Sequence, residues 1–294
     1  MPPSLRDVII IGGGISAHTA AVYTARASLS PLVISGEKVD QLSLTTSVEN
    51  FPGFPEGVQG PDLVTNAKKQ AQKFGAEYID GRALSIKKVP KGFEVVISDS
   101  TKKLIGRTII LCTGADARTT NIPGEKEFFG RGVSTCAVCD AALYRNKTAV
   151  VIGGGDSAME ESLALYKFAK KIYIVHRRGE FKASKIMQDR VLALKDKIEV
   201  VWDSVPVQVM GEKLVNAVKI KNLKTNKETT LDTDGFFLAI GHIPNTDFLK
   251  GFIDLDEHGF IKVNGVSTNQ PGIFAAGDVM DPRYKQAITS AGNG

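Results

Sequence analysis

Cysteine is scarce in this 294-residue chain, which has only Cys112, Cys136 and Cys139. Three is the wrong number for the paired framework of a small secreted domain, and two of them lie three positions apart. In a reducing compartment that spacing points to catalysis or metal binding and not to a structural staple. No run of about 18 unbroken apolar residues occurs, so no membrane-spanning helix is expected. The opening segment, Met1 to Asp7, lacks a basic stretch followed by an apolar run and a small-residue cleavage site. Secretion is therefore not indicated, and the cytoplasm is the expected location. An excess of one charge is missing as well: 37 basic against 32 acidic residues leave a net charge of +5, spread along the chain. Pairs such as Lys102-Lys103 and Lys170-Lys171 read as solvated faces, and nothing else supports nucleic acid binding. The charge mildly favours an acidic protein partner.

What is present is a soluble globular composition, 43% hydrophobic and 23% charged, on a chain long enough for two domains. A large-scale repeat organises it. Asp7 to Ala17 reads as a β-branched run followed by G-x-G-x-x-A, and Ala149 to Ala158 repeats the pattern. A helical segment follows each, with Ala21, Val22 and Ala25 at helical spacing in the first and Met159, Leu163 and Tyr166 in the second. Each helix leads to a second strand, Pro31 to Ser35 and Lys171 to His176. Strand, glycine-rich turn, helix and strand make a βαβ unit, and two copies predict two doubly wound, Rossmann-like modules in an α/β fold. Further strands are expected over Gly92–Ser98, Arg107–Ala115, Asp234–Ile240 and Gly272–Asp278, the second ending in a tight turn and the last in an acid. The simplest partition inserts the second module into the first: residues 1–116, an insert over 117–243, and a return over 244–294.

Each turn has the chemistry of a nucleotide site. Glycine lets the backbone approach a pyrophosphate, and the helix N-terminus offers free N–H groups and a positive dipole end. Gly12, Gly14 and Ala17 take these parts in the first unit, and Gly153, Gly155 and Ala158 in the second. The strand ends differ in sign. His176-Arg177-Arg178, with Lys182 beyond, suits a ribose 2′-phosphate and so NADPH; a solvated basic turn is the alternative. The first unit has Ser35, Gly36 and Glu37 there, and an acid favours an unphosphorylated ribose, as in FAD or NAD. Asp278, at the end of a late strand, adds a polar handle, or else serves as a turn or capping residue.

Cys136-Ala-Val-Cys139-Asp140 is the most chemically loaded segment. Zinc needs four ligands, and His18, His176, His242 and His258 are scattered without ligand spacing, so no metal is expected. A C-x-x-C pair can close a small reducible disulfide and lower one thiol pKa. Asp140 is a candidate proton donor or acceptor, or a cap for the next helix. A relay of two electrons from nicotinamide to disulfide needs an intermediary, and a flavin on the other module fits.

These residues together resemble the low-molecular-weight thioredoxin reductase family. The resemblance covers nearly the whole chain. It includes both glycine turns, Gln41-Leu42 with Thr45-Thr46, Val48 to Gly53, Cys112 to Ala115 and C-A-V-C-D from Cys136. It continues through Gly153 to Glu161, H-R-R-x-x-F-K-A from His176, Ala239 to Thr246, Gly277-Asp278 and Lys285 to Ala287. The resemblance implies a homodimer that binds FAD on one domain and NADPH on an inserted domain, and that reduces the disulfide of thioredoxin or a thioredoxin-like protein. It implies that hydride passes from NADPH to flavin and on to the disulfide, and that the inserted domain rotates. Cys139 would face the flavin and Cys136 would attack the partner disulfide.

The FAD contacts implied are Gly12, Gly13, Gly14, Ile15, Ser16, Ala17, Gly36, Glu37, Gln41, Asn50, Ala83, Gly114, Gly277, Asp278, Lys285, Gln286 and Ala287. Those for NADPH are Gly153, Gly154, Gly155, Asp156, Ser157, His176, Arg177, Arg178, Lys182, Ile240 and Gly241. Val39-Asp40 stands where the family has Gly-Gly, and Lys182 stands for a third arginine, keeping the charge without the fork. The family pattern runs past Gly294 into a terminal helix. Two other functions compete: a flavin-dependent dithiol oxidase using oxygen, and an FAD-binding redox partner without turnover.

Overall fold

The structure, a computed structural model, describes residues 5–45, 47–98 and 103–294. The chain divides into two compact units, one holding the residues up to Asp116 together with Ile243–Gly294, the other holding Ala117–His242. The second crossing thus falls between His242 and Ile243, one residue ahead of the expected end of the insert. Thr46, part of the Thr45-Thr46 motif, lies outside the described residues.

The first unit begins with β1 (Leu5–Ile11), α1 (Ile15–Arg26) and β2 (Leu32–Ile34), then α2 (Gly60–Lys73), β3 (Glu77–Ile79), the hairpin β4 (Ala83–Val89) and β5 (Gly92–Ile97), and β6 (Lys103–Leu111). The strand order is β3-β2-β1-β6-β5-β4. β3, β2, β1 and β6 run parallel, while β5 pairs antiparallel with β4 and β6. Ile9, Ile10 and Ile11 of β1 are almost fully buried, as a parallel strand covered on both faces requires. α1 packs its alanine-rich face, Ala17, Ala20 and Ala21, at or near zero exposure against the sheet. Pro61 lies in the first turn of α2, where its missing N–H costs nothing, with Asp62 beside it and Lys73 in the last turn.

The inserted unit contains β7 (Val133–Ser134), α3 (Ala137–Asp140), β8 (Thr148–Ile152), α4 (Asp156–Tyr166), β9 (Lys171–Val175), α5 (Lys185–Leu192) and β10 (Ile198–Val201). An antiparallel sheet of β11 (Ser204–Gly211), β12 (Val215–Asn222) and β13 (Glu228–Asp232) follows, before β14 (Gly235–Leu238) returns to the parallel sheet. That sheet has the order β7-β14-β8-β9-β10, all parallel. Phe236 and Phe237 of β14 are fully buried on its two faces. Truncating either to alanine would cost about 3–5 kcal/mol.

The chain then returns to the first unit. β15 (Ile273–Ala275) adds to the parallel part of β6, with Ile273 opposite Ile109, and α6 (Ala287–Asn293) closes against α1. β2, β5, β6, β9, β14 and β15 each end before the last residue the sequence predicts. Ser35, His176 and Ala239 to Ile240 leave the ladder to form the loops at the carboxyl edges of the sheets. Both units are therefore doubly wound α/β modules, with their glycine turns at the edge where such sheets bind ligands.

Candidate functional site

In the first unit the turn after β1 is built by close approach. Gly12 has φ of +140°, and a Cβ on it would lie 2.0 Å from the carbonyl oxygen of Cys112 at the end of β6. A Cβ on Gly13 would meet the Ser35 carbonyl oxygen at 2.2 Å. Gly14 is different: its nearest neighbour would be the Asp40 Cβ, 4.0 Å away, so it faces open space. That space is a cavity of about 690 Å³, lined by Gly12, Gly13, Gly14, Ser16, Gly36, Glu37, Gln41, Ala83, Gly114 and Asp278 of the expected set. The Ser35 Oγ, also in its lining, is buried without a hydrogen-bond partner. A buried orphan hydroxyl beside a glycine cradle at a helix N-terminus fits the FAD expected there.

The acids of this cavity are held by protein partners. Glu37 accepts a short hydrogen bond from the Ser98 hydroxyl and lies 3.9 Å from the Arg82 Nε. Asp278 accepts from the Ser290 hydroxyl at 2.6 Å, and burial raises its pKa although that bond opposes the shift. Asp40, in place of the family's glycine, accepts from the Ser43 N–H at 3.0 Å and from its hydroxyl at 2.6 Å. Lys38 pairs with Asp116 at 2.9 Å. The loop that departs from the family pattern is thus held by side chains.

The second turn repeats the first at its outer glycines and differs at the middle one. Gly153 has φ of +149°, and its Cβ would lie 2.3 Å from the Ala239 carbonyl oxygen; Gly155 has nothing within 4 Å. Gly154 carries the imidazole of His176, whose Nδ1 would be 2.4 Å from a Cβ there. His176 is 7% exposed and packs against Phe181 and Trp202. Burial lowers its pKa, and its Nε2 has no partner. Arg177, Arg178 and Lys182 are exposed. Asp203, whose N–H donates to the Arg178 carbonyl, turns its carboxylate to Lys224 at 2.7 Å and leaves these cations to a ligand. The Asp156 carboxylate accepts from the Ser184 N–H and hydroxyl at 2.8 Å each, and the Gly154 carbonyl accepts from the Lys182 N–H at 2.7 Å. These bonds pin the basic loop over the glycine turn. The orphan imidazole nitrogen, the open Gly155 and the basic rim fit a phosphorylated dinucleotide.

Cys136 and Cys139 of the same unit form a disulfide. Cys136 caps α3: its Sγ accepts the Cys139 N–H at 3.2 Å, and its own N–H donates to the Ser134 hydroxyl. Cys139 is exposed and Cys136 half-buried. The turn is seated by Ala137 and Ala141, which pack against Ala158, Met159 and Leu165 of α4. Tyr144 anchors its far end, with its ring edge-on to Phe237 at 4.9 Å. Cys112 is buried apart from this pair, with its thiol pKa pushed up to about 12 by burial.

Several expected residues do not line the cavity. Asn50 and Gln286 bond to each other at 3.0 Å, Gln286 also caps α6, and Ala287 begins that helix. Lys285 sits at φ of +47°. Ile15 and Ala17 are buried in helix packing, and a Cβ on Gly277 would lie 2.6 Å from the Ser16 Oγ. Of the residues expected at the NADPH turn, Ser157 is the second residue of α4, and Ile240 with Gly241 follows β14. Ser35, named with Gly36 and Glu37 at the strand end, and Asn245, within the quoted Ala239 to Thr246 motif, also line the cavity. Arg82 and Asp247 line it without having been singled out, and come from segments with no nucleotide pattern.

A family model described as pyridine nucleotide-disulphide oxidoreductase matches residues 6–294. Thioredoxin reductase of Streptomyces coelicolor is 46% identical over 99% of this chain and 91% of its own length. Thioredoxin reductase 1 of Saccharomyces cerevisiae is 44% identical, over 98% and 94%. The solved structure of thioredoxin reductase from Giardia duodenalis superposes with a TM-score of 0.92 at 39% identity, over 98% of this chain and 95% of that one. With two dinucleotide turns and a C-x-x-C disulfide already in place, the chain belongs to the pyridine nucleotide-disulphide oxidoreductase family.

Proposed function

We propose that this protein is a thioredoxin reductase, an NADPH-dependent flavoprotein that reduces the disulfide of thioredoxin through Cys136 and Cys139. One observation carries the reading: a C-x-x-C disulfide lies on the same unit as a dinucleotide turn rimmed by Arg177, Arg178 and Lys182. The net reaction converts NADPH, a proton and a protein disulfide to NADP⁺ and a protein dithiol.

The first unit, residues 1–116 with the return from the second crossing, binds FAD through Gly14, Ser35 and the polar rim of its cavity. The insert binds NADPH at Gly155, with the 2′-phosphate on Arg177, Arg178 and Lys182. Bound FAD and NADPH supply the two-electron hydride chemistry. The chain's own residues manage the thiols. Reduction breaks the Cys136–Cys139 bond and leaves a dithiol. A thiolate at Cys136 keeps the Cys139 N–H as a hydrogen bond at the start of α3, which favours its ionised form. That thiolate attacks the partner disulfide; Cys139 then displaces the reduced partner and the internal disulfide re-forms. Asp140, adjoining Cys139, exchanges the proton with the departing thiolate.

Among the described residues no helix is long and apolar enough to cross a membrane. The cytoplasm and a homodimeric assembly complete the proposal. The test is a coupled assay with NADPH and oxidised thioredoxin. Yellow protein that reduces thioredoxin and strongly prefers NADPH to NADH is expected. Thiol-driven oxygen uptake without NADPH would establish a dithiol oxidase instead, and bound FAD without any disulfide reduction would establish a redox partner without turnover.

A further inference from the structure

Asp203 and Lys224 lie outside the strand and turn that carry the second nucleotide site, yet they meet on its basic loop. Asp203 joins β10 to β11 at a backbone φ of +52°, and Lys224 lies in the turn between β12 and β13. A Cβ on Gly179, next to Arg178, would lie 3.7 Å from the Asp203 Oδ1 and 3.9 Å from the Lys224 Nζ. The ammonium and the carboxylate are 2.7 Å apart.

Both residues are fixed there by backbone bonds. The Asp203 N–H donates to the Arg178 carbonyl at 3.3 Å, and the Asp203 carbonyl accepts from the Leu223 N–H at 2.6 Å. The Asn222 Oδ1 accepts from the N–H groups of Lys224 and Thr225 at 3.0 Å each, which shapes the turn that carries the ammonium. The Asp203 side chain is only 19% exposed, so solvent and salt screen it poorly. Glu180, the other acid of the loop, is exposed and well screened. A fixed acid beside a nucleotide ribose suits a free 2′-hydroxyl and repels a 2′-phosphate. Unpaired, Asp203 would oppose what Arg177, Arg178 and Lys182 favour.

We propose that Lys224 is a specificity-determining residue of the nucleotide site: paired with Asp203 on the basic loop, it masks a carboxylate that would otherwise turn the loop against the 2′-phosphate of NADPH. The ammonium does this without touching the phosphate. The pair carries no net charge, so the attraction of the two arginines and Lys182 reaches the 2′-phosphate undiminished by Asp203.

This role of Lys224 rests on the loop binding a 2′-phosphorylated dinucleotide. Binding is measured on the oxidised holoenzyme by isothermal titration calorimetry with 2′,5′-ADP and 5′-AMP, which differ only in the 2′-phosphate. The parent should bind 2′,5′-ADP the more tightly. Lys224→Gln should weaken 2′,5′-ADP about fivefold, the scale of one charge pair near the surface, and leave 5′-AMP within about twofold. Asp203→Asn, an exchange that a positive φ tolerates, should bind 2′,5′-ADP at least as tightly as the parent. The double variant should return to within about twofold of the parent, because it removes the acid and its mask together. A double variant as weak as Lys224→Gln would overturn the proposal, since Lys224 would then act on the phosphate directly. A parent that prefers 2′,5′-ADP and a folded Lys224→Gln protein that matches it would overturn the masking role alone. A parent without that preference would overturn the nucleotide reading and the masking role together. Thermal unfolding verifies that each variant is folded.

Discussion

A methyl group on Gly12 would lie 2.0 Å from the carbonyl oxygen of Cys112, at a backbone φ of +140°. Gly14, two residues on, has φ of −88° and open space where its side chain would be. The two glycines of one turn therefore do separate work, the first for the fold and the second for the ligand. Gly12→Ala should destabilise the protein itself by on the order of 3 kcal/mol, combining strain and overpacking. Gly14→Ala should leave the apoprotein within about 0.5 kcal/mol of the parent, while weakening FAD binding at least about tenfold, or 1.4 kcal/mol. Urea unfolding of the apoproteins and flavin fluorescence titration separate the two effects; equal stability losses would refute the division.

Arg177 and Arg178 stand exposed at the end of β9, beside an acid already committed to Lys224. Replacing both by alanine should raise the KM for NADPH by about tenfold or more, as loss of charge-assisted bonds to a phosphate predicts. The KM for NADH should scarcely move. Steady-state kinetics with both nucleotides checks this, and a parallel rise for NADH would remove the 2′-phosphate from these side chains.

The cysteines should separate by role. Cys139→Ser should stop reduction of thioredoxin while NADPH still bleaches the flavin. It should also leave Cys136 able to trap thioredoxin as a stable mixed disulfide. Cys136→Ser should lose the trapping. Stopped-flow absorbance and non-reducing electrophoresis read these outcomes, and trapping by the Cys136→Ser protein alone would exchange the two roles.

His18 makes the first unit acid-sensitive. Its ring is buried on α1, 3.1 Å from the Tyr78 hydroxyl, and burial lowers its pKa from the usual 6.5 to about 4. The unfolded chain binds the proton first as pH falls, so stability declines from about pH 6.5 and levels off near pH 4. His18→Asn should flatten that stretch of the profile. Urea midpoints between pH 4 and 7 test it, and an unchanged slope would assign the acid loss to other groups.

The repeat was legible because each glycine turn needs its backbone neighbours in contact, which shows directly as β-branched run, glycines and helix. The basic row after Val175 was legible for the same local reason. Asp247 was not, since it reaches the cavity only because the chain returns to the first unit after the insert. His176 looked like one more cation of the row, but in the loop after β9 its ring is buried under Gly154 while both arginines stay exposed. Glu161 was hidden in an ordinary helical pattern. Acids on helices usually face water, whereas the Oε2 of this one is buried without a hydrogen-bond partner.

The pairing of Ile109 with Ile273 has a consequence for synthesis. The first sheet lacks its last parallel strand until the whole insert, Ala117–His242, has left the ribosome. At about 5–20 residues per second that is a delay of roughly 10 s. Throughout it, the β6 edge around Ile109 waits unpaired while the insert, contiguous in sequence, has every strand it needs. The insert is then the earlier of the two to reach its native fold, and the first unit is the natural client of a chaperone holding a nascent chain.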